Sequence, residues 1–443
     1  MEAKKQPLKK SLTGFEIELF TINNEGKIAN AADTILKKAK KDKNLSLKKE
    51  ISQNMIEIAS YPNEMVPDTM NHLLDELEYA ISIAEKNNTL LCPLGTYPGK
   101  YNPIMRVDKK YEIKKSIFGK ERYKIEGRCA GFHCHYTLPK GIFDSQLRVL
   151  KIFTRSKIKD SMINSYNLLI AADPALTCFM QSSPFYQCKF IGKDSRVIMY
   201  RGGKALNNEK GLYSNFQDFG SLPYYKATVL DIISLITNRY NKWKSHIKSL
   251  GLNIKVLSLY GSILYTTWGP IRISPHGTIE QRGMDMNHPI YIAGIGVIVR
   301  WILKKLQEEY YAVVPSEIGI KEPFKVEKDI IYIPPYSYVR NELQKLSAYN
   351  GLESDAVYDY CKRFLRLAES VMPKDRLKLV QPFKQMLKKR KTVSDEILDY
   401  AKKKGFRRKE SITDKLAADI VLHHSERLLK EITATRRIIR HLL

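Results

Sequence analysis

Residues 14–20 read Gly-Phe-Glu-Ile-Glu-Leu-Phe, and that alternation fits a β-strand with one dry face and one charged face. Successive side chains of a strand point to opposite sides, so Phe15, Ile17 and Leu19 share one face and Glu16 and Glu18 the other. Two glutamates at that spacing repel, raise each other's pKa and gain from a cation set between them. Three more segments repeat the theme. Glu50 and Glu57 flank an apolar strand expected over 51–60, His133 and His135 share a face of a strand over 131–138, and Glu280 and Arg282 share a face in a hairpin over 264–282. Taken singly, Glu-x-Glu usually marks the wet side of a sheet, His-x-His packing or surface, and Glu-x-Arg a cross-strand ion pair. The coincidence of four such strands carries more weight. As neighbours they would form one wall of carboxylate oxygen with imidazole, a ligand set suited to Mg²⁺ or Mn²⁺ bridging nucleotide phosphates.

Apolar periodicity predicts helices over 30–41, 68–87, 161–179 and 224–249. A short strand is expected over 90–94, a loop-rich stretch over 182–220, and mainly helix from 290 onward except around 330–335. Strands separated by helices, several with one charged face, define an α+β fold on a half-exposed antiparallel sheet. The expected division is a catalytic core over 1–310 and a mainly helical, basic C-terminal region over 311–443, packed on the core or appended to it.

With 43% hydrophobic and 27% charged residues the chain has the makeup of a soluble globular protein rather than a disordered one. Its net charge of +27 implies attraction to anions, although Lys-rich runs such as Lys37-Lys38-Ala39-Lys40-Lys41 read as a solvated helix face. Residues 371–443 alone hold 20 Lys and Arg against 9 Asp and Glu. A nucleic-acid-binding protein is therefore the alternative from another class, supported by Lys388-Lys389-Arg390-Lys391 and by the basic run over 402–409. It has no zinc-finger spacing or helix-turn-helix signature behind it. A zinc site from Cys129, His133, Cys134 and His135 is disfavoured, because adjacent strand residues point to opposite faces. Six cysteines without a paired framework, no apolar run behind Met1–Pro7, and an apolar stretch over 290–302 interrupted by Arg300 point to reduced thiols, no membrane span and the cytoplasm.

The ordered motifs resemble those of the second family of glutamate–cysteine ligases, which includes carboxylate–amine ligases. Gly14-Phe15-Glu16-Ile17-Glu18 is similar to its opening Gly-x-Glu-x-Glu strand, Glu50 with Glu57-Ile58 to its second strand, and Gly95-Thr96-Tyr97-Pro98 to its Gly-Thr-x-Pro turn. Gly131-Phe132-His133-Cys134-His135, Ser182-Ser183-Pro184 with Ser195-Arg196, and Trp268 through Arg272, Glu280 and Arg282 to Asp285 follow in the family's order. The resemblance implies a glutamine-synthetase-like fold, a curved antiparallel sheet around a metal-lined funnel. It also implies an ATP- and Mg-dependent ligase that forms an amide through an acyl phosphate, with γ-glutamyl transfer to cysteine or another amine the leading case. The partners implied are ATP and small carboxylate and amine substrates; a homo-oligomer is compatible with the resemblance. Carried over at matching positions, Glu16, Glu18, Glu50, Glu57, His133 and Glu280 are metal ligands, and Arg282 and Arg196 are the catalytic cations on the phosphoryl group or acidic substrate. Arg272, Ser183 and His135 are substrate- or phosphate-binding, His135 serving either as a ligand or in support of one.

Overall fold

The structure, a computed structural model, describes residues 11–152, 156–266, 268–408 and 410–442; the opening residues Met1–Pro7 and Lys409 of the second basic run lie outside them. The central element is a seven-stranded sheet of β1 (Thr13–Asn23), β2 (Leu47–Lys49), β3 (Met55–Ala59), β4 (Thr89–Cys92), β5 (Gly131–Thr137), β6 (Ile271–Ser274) and β7 (Thr278–Asp285). Its order is β6-β7-β5-β1-β3-β2, with β4 beside the far end of β1, and every pairing is antiparallel. The four charged segments are therefore neighbours, although they lie far apart in sequence.

Alternation fixes the two faces. Phe15, Ile17 and Leu19 of β1, Ile56 and Ile58 of β3, and Phe132, Cys134 and Tyr136 of β5 are all buried on one side. The helices α1 (Ala32–Lys41), α2 (Val66–Glu85), α3 (Lys109–Phe118), α4 (Ser156–Met180), α5 (Ser195–Arg201), α6 (Val229–Ser249) and α7 (Pro289–Glu308) follow in chain order, and of these α2 and α7 pack on the sheet's apolar face. The C-terminal region adds α8 (Asp355–Val371), α9 (Gln381–Lys389), α10 (Val393–Lys403) and α11 (Asp414–Arg440). The last of these lies across α2, α7 and β4, so one apolar cluster runs from Phe15 to Leu442. Among the described residues no helix is long and apolar enough to cross a membrane, and all six cysteines are unpaired as disulfides.

The structure refines several expected elements. The strand expected over 51–60 is only Met55–Ala59, and Glu50 sits just past the three-residue β2, a strand too short to show a period. The loop-rich stretch over 182–220 contains α5, started by the Asp194 side chain accepting the Val197 N–H at 2.7 Å. The hairpin is confined to β6 and β7, joined by Pro275-His276-Gly277, where Gly277 takes φ 72°. A second, three-stranded sheet over 312–315, 326–327 and 330–333 includes the 330–335 region.

Candidate active site

The uncovered face of the sheet carries the charges in register. Lys48 of β2 stands opposite Glu57 of β3, which stands opposite Glu18 of β1. On the next rung Glu16 faces His133, and on the other flank His135 faces Glu280, which faces Arg272. The consequence is three overlapping sets of donor atoms, each within 4.8 Å of one another: Glu16, His135 and Glu280; Glu16, Glu57 and His133; Glu18, Glu50 and Glu57. The structure thus brings together all six residues expected as ligands, and His135 with them. Glu50 joins from its turn rather than from a strand, its carboxylate accepting the Ile51 N–H at 3.0 Å.

Electrostatics divide this wall into two halves. On one side, burial opposes ionisation of Glu16, but His135, His133 and Lys48 hold its carboxyl well below the usual range. Burial likewise opposes ionisation of Glu280, while Arg272, His135 and Arg282 keep it down at about 2. On the other side, burial pushes Glu50 up to about 7, helped by Glu18, and raises Glu57 strongly, helped by Glu16 and Glu50. Glu18 is also raised by burial, in spite of Arg196 and Arg282. Three buried carboxylates that resist ionising together are short of positive charge. The His133 ring, pushed down to about 4 by burial and Arg282, is neutral with a lone pair to offer. Its Nε2, like that of His135, is buried without a hydrogen-bond partner. Carboxylate oxygens in excess, with an unpartnered neutral imidazole, fit a hard divalent cation.

The arginines ring the wall. Arg272 grips Glu280 with two prongs, Nε at 2.5 Å from Oε2 and Nη2 at 3.2 Å from Oε1, and Arg282 Nε lies 3.4 Å from Oε1. Glu280 is therefore the least free carboxylate of the set. Arg196 projects from α5 over the end of β5, where Gly131 has no side chain; a Cβ there would lie 2.2 Å from Arg196 Nη2. The Gly131 N–H instead serves Glu18, donating to Oε2 at 2.5 Å. A bulge in β7 between Gln281 and Met284 sets Asp285 beneath Arg196, its carboxylate accepting the Ser182 N–H at 2.9 Å and pushed up to about 6 by burial. Ser183 is not on the wall: it is buried, and its hydroxyl accepts the Arg196 N–H at 3.3 Å. Cys134 points into the core beside Phe15, away from His133 and His135.

Two cavities of about 320 Å³ each open on this face and meet at Glu16, which lines both. The first is walled by Glu18, Glu50, Glu57, Arg196, Arg272 and Arg282. It also takes in Tyr111, Lys114, Glu126 and Tyr200, to which no role was assigned from sequence, since α3 has weak periodicity and the turn at 126–128 has none. The second is lined by His135, His276, Thr278 and Lys48 with Phe15 and Pro62.

The sheet face thus gathers carboxylates, imidazoles and arginines at the meeting of two cavities. Residues 12–219, just under half of the chain, match the family model of glutamate-cysteine ligase family 2. The fold is shared with the bifunctional glutathione synthetase of Pasteurella multocida (TM-score 0.59, 12% identity, 95% of this chain and 53% of that one). It is shared also with the glutamate–cysteine ligase of Francisella tularensis in complex with AMP (TM-score 0.55, 13% identity, 98% and 93%). This chain spans about half the length of the bifunctional glutathione synthetase. Among curated proteins none matches the sequence.

Proposed function

We propose that this chain is a Mg²⁺- and ATP-dependent carboxylate–amine ligase that forms an amide through an acyl phosphate, with glutamate and cysteine the leading substrate pair and the cytoplasm the site of action. The observation that carries the reading is the set of three overlapping donor groups on one sheet face with Arg196, Arg272 and Arg282 at its edge. Glu18, Glu50 and Glu57 would hold one cation, and Glu16 with His133 or His135 a second; bound there, Mg²⁺ would neutralise the phosphates of ATP. A substrate carboxylate oxygen then attacks the γ-phosphorus and ADP leaves. The ammonium releases one proton to solvent, the free amine nitrogen attacks the acyl carbon, and inorganic phosphate leaves, taking up the second proton that the nitrogen loses.

Phosphoryl transfer is largely positioning and charge neutralisation, so arginines matter more than a protein nucleophile. Arg282 and Arg196, which line the cavity, would meet the transferring group or the acid, and Arg272 holds Glu280 in place. The less charged cavity, with Phe15, Pro62 and His276, suits a nucleotide base; the arginine-rich one suits the acid and the amine. The test is ADP and phosphate release with Mg²⁺ across a panel of amino-acid pairs, with the amide product identified by mass. ADP release that needs both an acid and an amine supports the reading, and no ADP with any pair removes it.

A further inference from the structure

The arginine-rich cavity has a side that takes no part in the carboxylate wall. Three separate segments build it: α3 brings Lys114, the turn ahead of β5 brings Glu126, and the residue before the Gly269-Pro270 approach to β6 brings Trp268. They converge on one atom. Lys114 Nζ lies 3.0 and 3.1 Å from the two Glu126 oxygens and 4.8 Å from the centre of the Trp268 ring. The Glu126 side chain is 4% exposed and that of Lys114 only 12%, so this is a desolvated ion pair inside the cavity rather than a surface one. A buried carboxylate presenting both oxygens beneath an indole face is a receptor for a primary ammonium. The carboxylate accepts two N–H bonds and the ring attracts the cation by its quadrupole.

We propose that this box is the subsite for the amine co-substrate, which binds as a primary ammonium in place of the Lys114 ε-ammonium. The proposal rests on the ligase reading above and adds to it where, and in what form, the second substrate is held. Lys114 is a stand-in. Its charge is compact and strongly hydrated and sits on a flexible four-carbon stem, so it returns to water from the helix surface without disturbing the backbone. What the exchange must not leave behind is Glu126 buried and unpaired, and an incoming ammonium meets that need one for one. A secondary or tertiary ammonium has fewer N–H groups for the carboxylate and more bulk against the ring. The box therefore selects primary amines.

Kinetics with glutamate and MgATP against cysteine and methylamine test this. Wild-type protein that yields neither ADP nor amide removes the ligase reading but leaves the box to be judged by binding alone. Given turnover, Glu126→Gln should raise the KM for the amine at least tenfold while the KM for ATP moves less than twofold. Lys114→Met should lower the amine KM several-fold, because the resident cation is gone. A raised amine KM in Lys114→Met would mean that the lysine holds a substrate anion, and would overturn the proposal; so would equal changes in the amine and ATP constants for Glu126→Gln. Independently of turnover, and of whether Glu126→Gln folds, methylammonium chloride should raise the melting temperature of Lys114→Met more than that of wild type at equal ionic strength. No difference from sodium chloride in Lys114→Met overturns it.

Discussion

His133 and His135 on the sheet, and His288 and His424 between the start of α7 and α11, are two buried histidine pairs in different company. Around the first pair stand Glu16, Glu18 and Glu280, with nitrogen-to-oxygen distances from 3.4 to 4.0 Å. In the second, His288 Nε2 lies 2.9 Å from His424 Nδ1, the rings are stacked, and the nearest charges are cationic, Arg427 among them. Burial alone drives an imidazole neutral, and that is the fate of the core pair: His424 is pushed down to about 3, and His288 falls well below its ordinary value. Carboxylates split the other pair. Glu280 and Glu16 overcome burial and raise His135, while burial, with Arg282 adding to it, pushes His133 down to about 4. One region uses buried histidine as a hydrogen-bonded filler, the other sets two imidazoles with opposite shifts among carboxylates. What separates them is the charge of the neighbours, since depth is common to both.

The same contrast governs the lysines and glutamates. Lys402, Lys403 and Lys404 are exposed and Lys388 and Lys389 likewise, so their charge is solvated; Glu280 and Glu18 are buried, so theirs must be answered locally. The sharpest way to break the comparison is therefore to remove a buried carboxylate. Glu18→Gln should abolish ligase turnover and yet leave the metal-free protein melting at or above the wild-type temperature, since crowding with Glu50 and Glu57 is relieved while the Gly131 N–H keeps an oxygen acceptor. Turnover and melting curves measured on one preparation decide it. Wild-type-like turnover at limiting Mg²⁺ would dismantle this end of the wall.

A hundredfold effect is expected next, from Arg282→Lys. Arg282 and Glu280 project from β7 to the same face, and the guanidinium borders the cavity that Glu18 and Arg196 also line. Lysine keeps the charge but not the planar fork, so the loss should fall on kcat rather than on the KM for ATP. An interaction made mainly in the transition state is worth about 3 kcal/mol, roughly a hundredfold in rate. If Arg282 served only as a partner to Glu280, which Arg272 already grips, kcat would hardly move.

How much of this was legible beforehand depended on periodicity. Glu16, Glu18, His133, His135, Glu280 and Arg282 sit on strands whose alternation announces which face they take, and the structure puts them on one face. Glu50 was readable as a candidate but not as a turn residue, because β2 is three residues long. Ser183 stood in a motif with Arg196, and a motif does not say which member faces the cavity; its hydroxyl went to the backbone of α5. Lys114 and Glu126 gave no signal. Their meaning comes from Trp268, more than 140 residues further along the chain, and only folding brings the three together. The bulge in β7 was equally silent, since one extra residue leaves no mark in composition.

A smaller effect, several kelvin, is expected in the response to ligand. Glu50 at about 7, and Glu57, raised strongly by burial with Glu16 and Glu50 adding to it, favour protonated carboxyls that a cation would have to displace. Mg²⁺–ATP should therefore raise the melting temperature more at pH 8 than at pH 6, provided free ligand is held constant. The sign for the metal-free protein is opposite. Folded-state pKa values raised above the unfolded one mean that the native state binds more protons between pH 4.5 and 7, so these two groups contribute less stability as pH rises through that window. A ligand shift that is flat from pH 6 to pH 8 would show that these carboxylates do not meet the cation.

The smallest effect on activity is expected from the core pair. His424→Leu removes the partner of His288 Nε2 from a site where His288 Nδ1 already lacks one, leaving a buried ring with neither nitrogen satisfied. An unsatisfied buried polar group costs about 1–3 kcal/mol, so the melting temperature should fall by several kelvin. The kcat per folded molecule should not change, and neither should the stabilisation by Mg²⁺–ATP, because this pair meets none of the wall's carboxylates. The pH dependence should change in a defined direction. With folded-state values depressed, the wild-type native state binds fewer protons than the unfolded chain below pH 6.5, and the pair's contribution is lost as pH falls below that value. Taking away His424 removes part of that acid sensitivity, so the gap in melting temperature between variant and wild type should narrow from pH 7 to pH 5. A loss of turnover in step with the loss of stability, measured well below the melting temperature, would tie α11 to the chemistry and erase the distinction between the two histidine pairs.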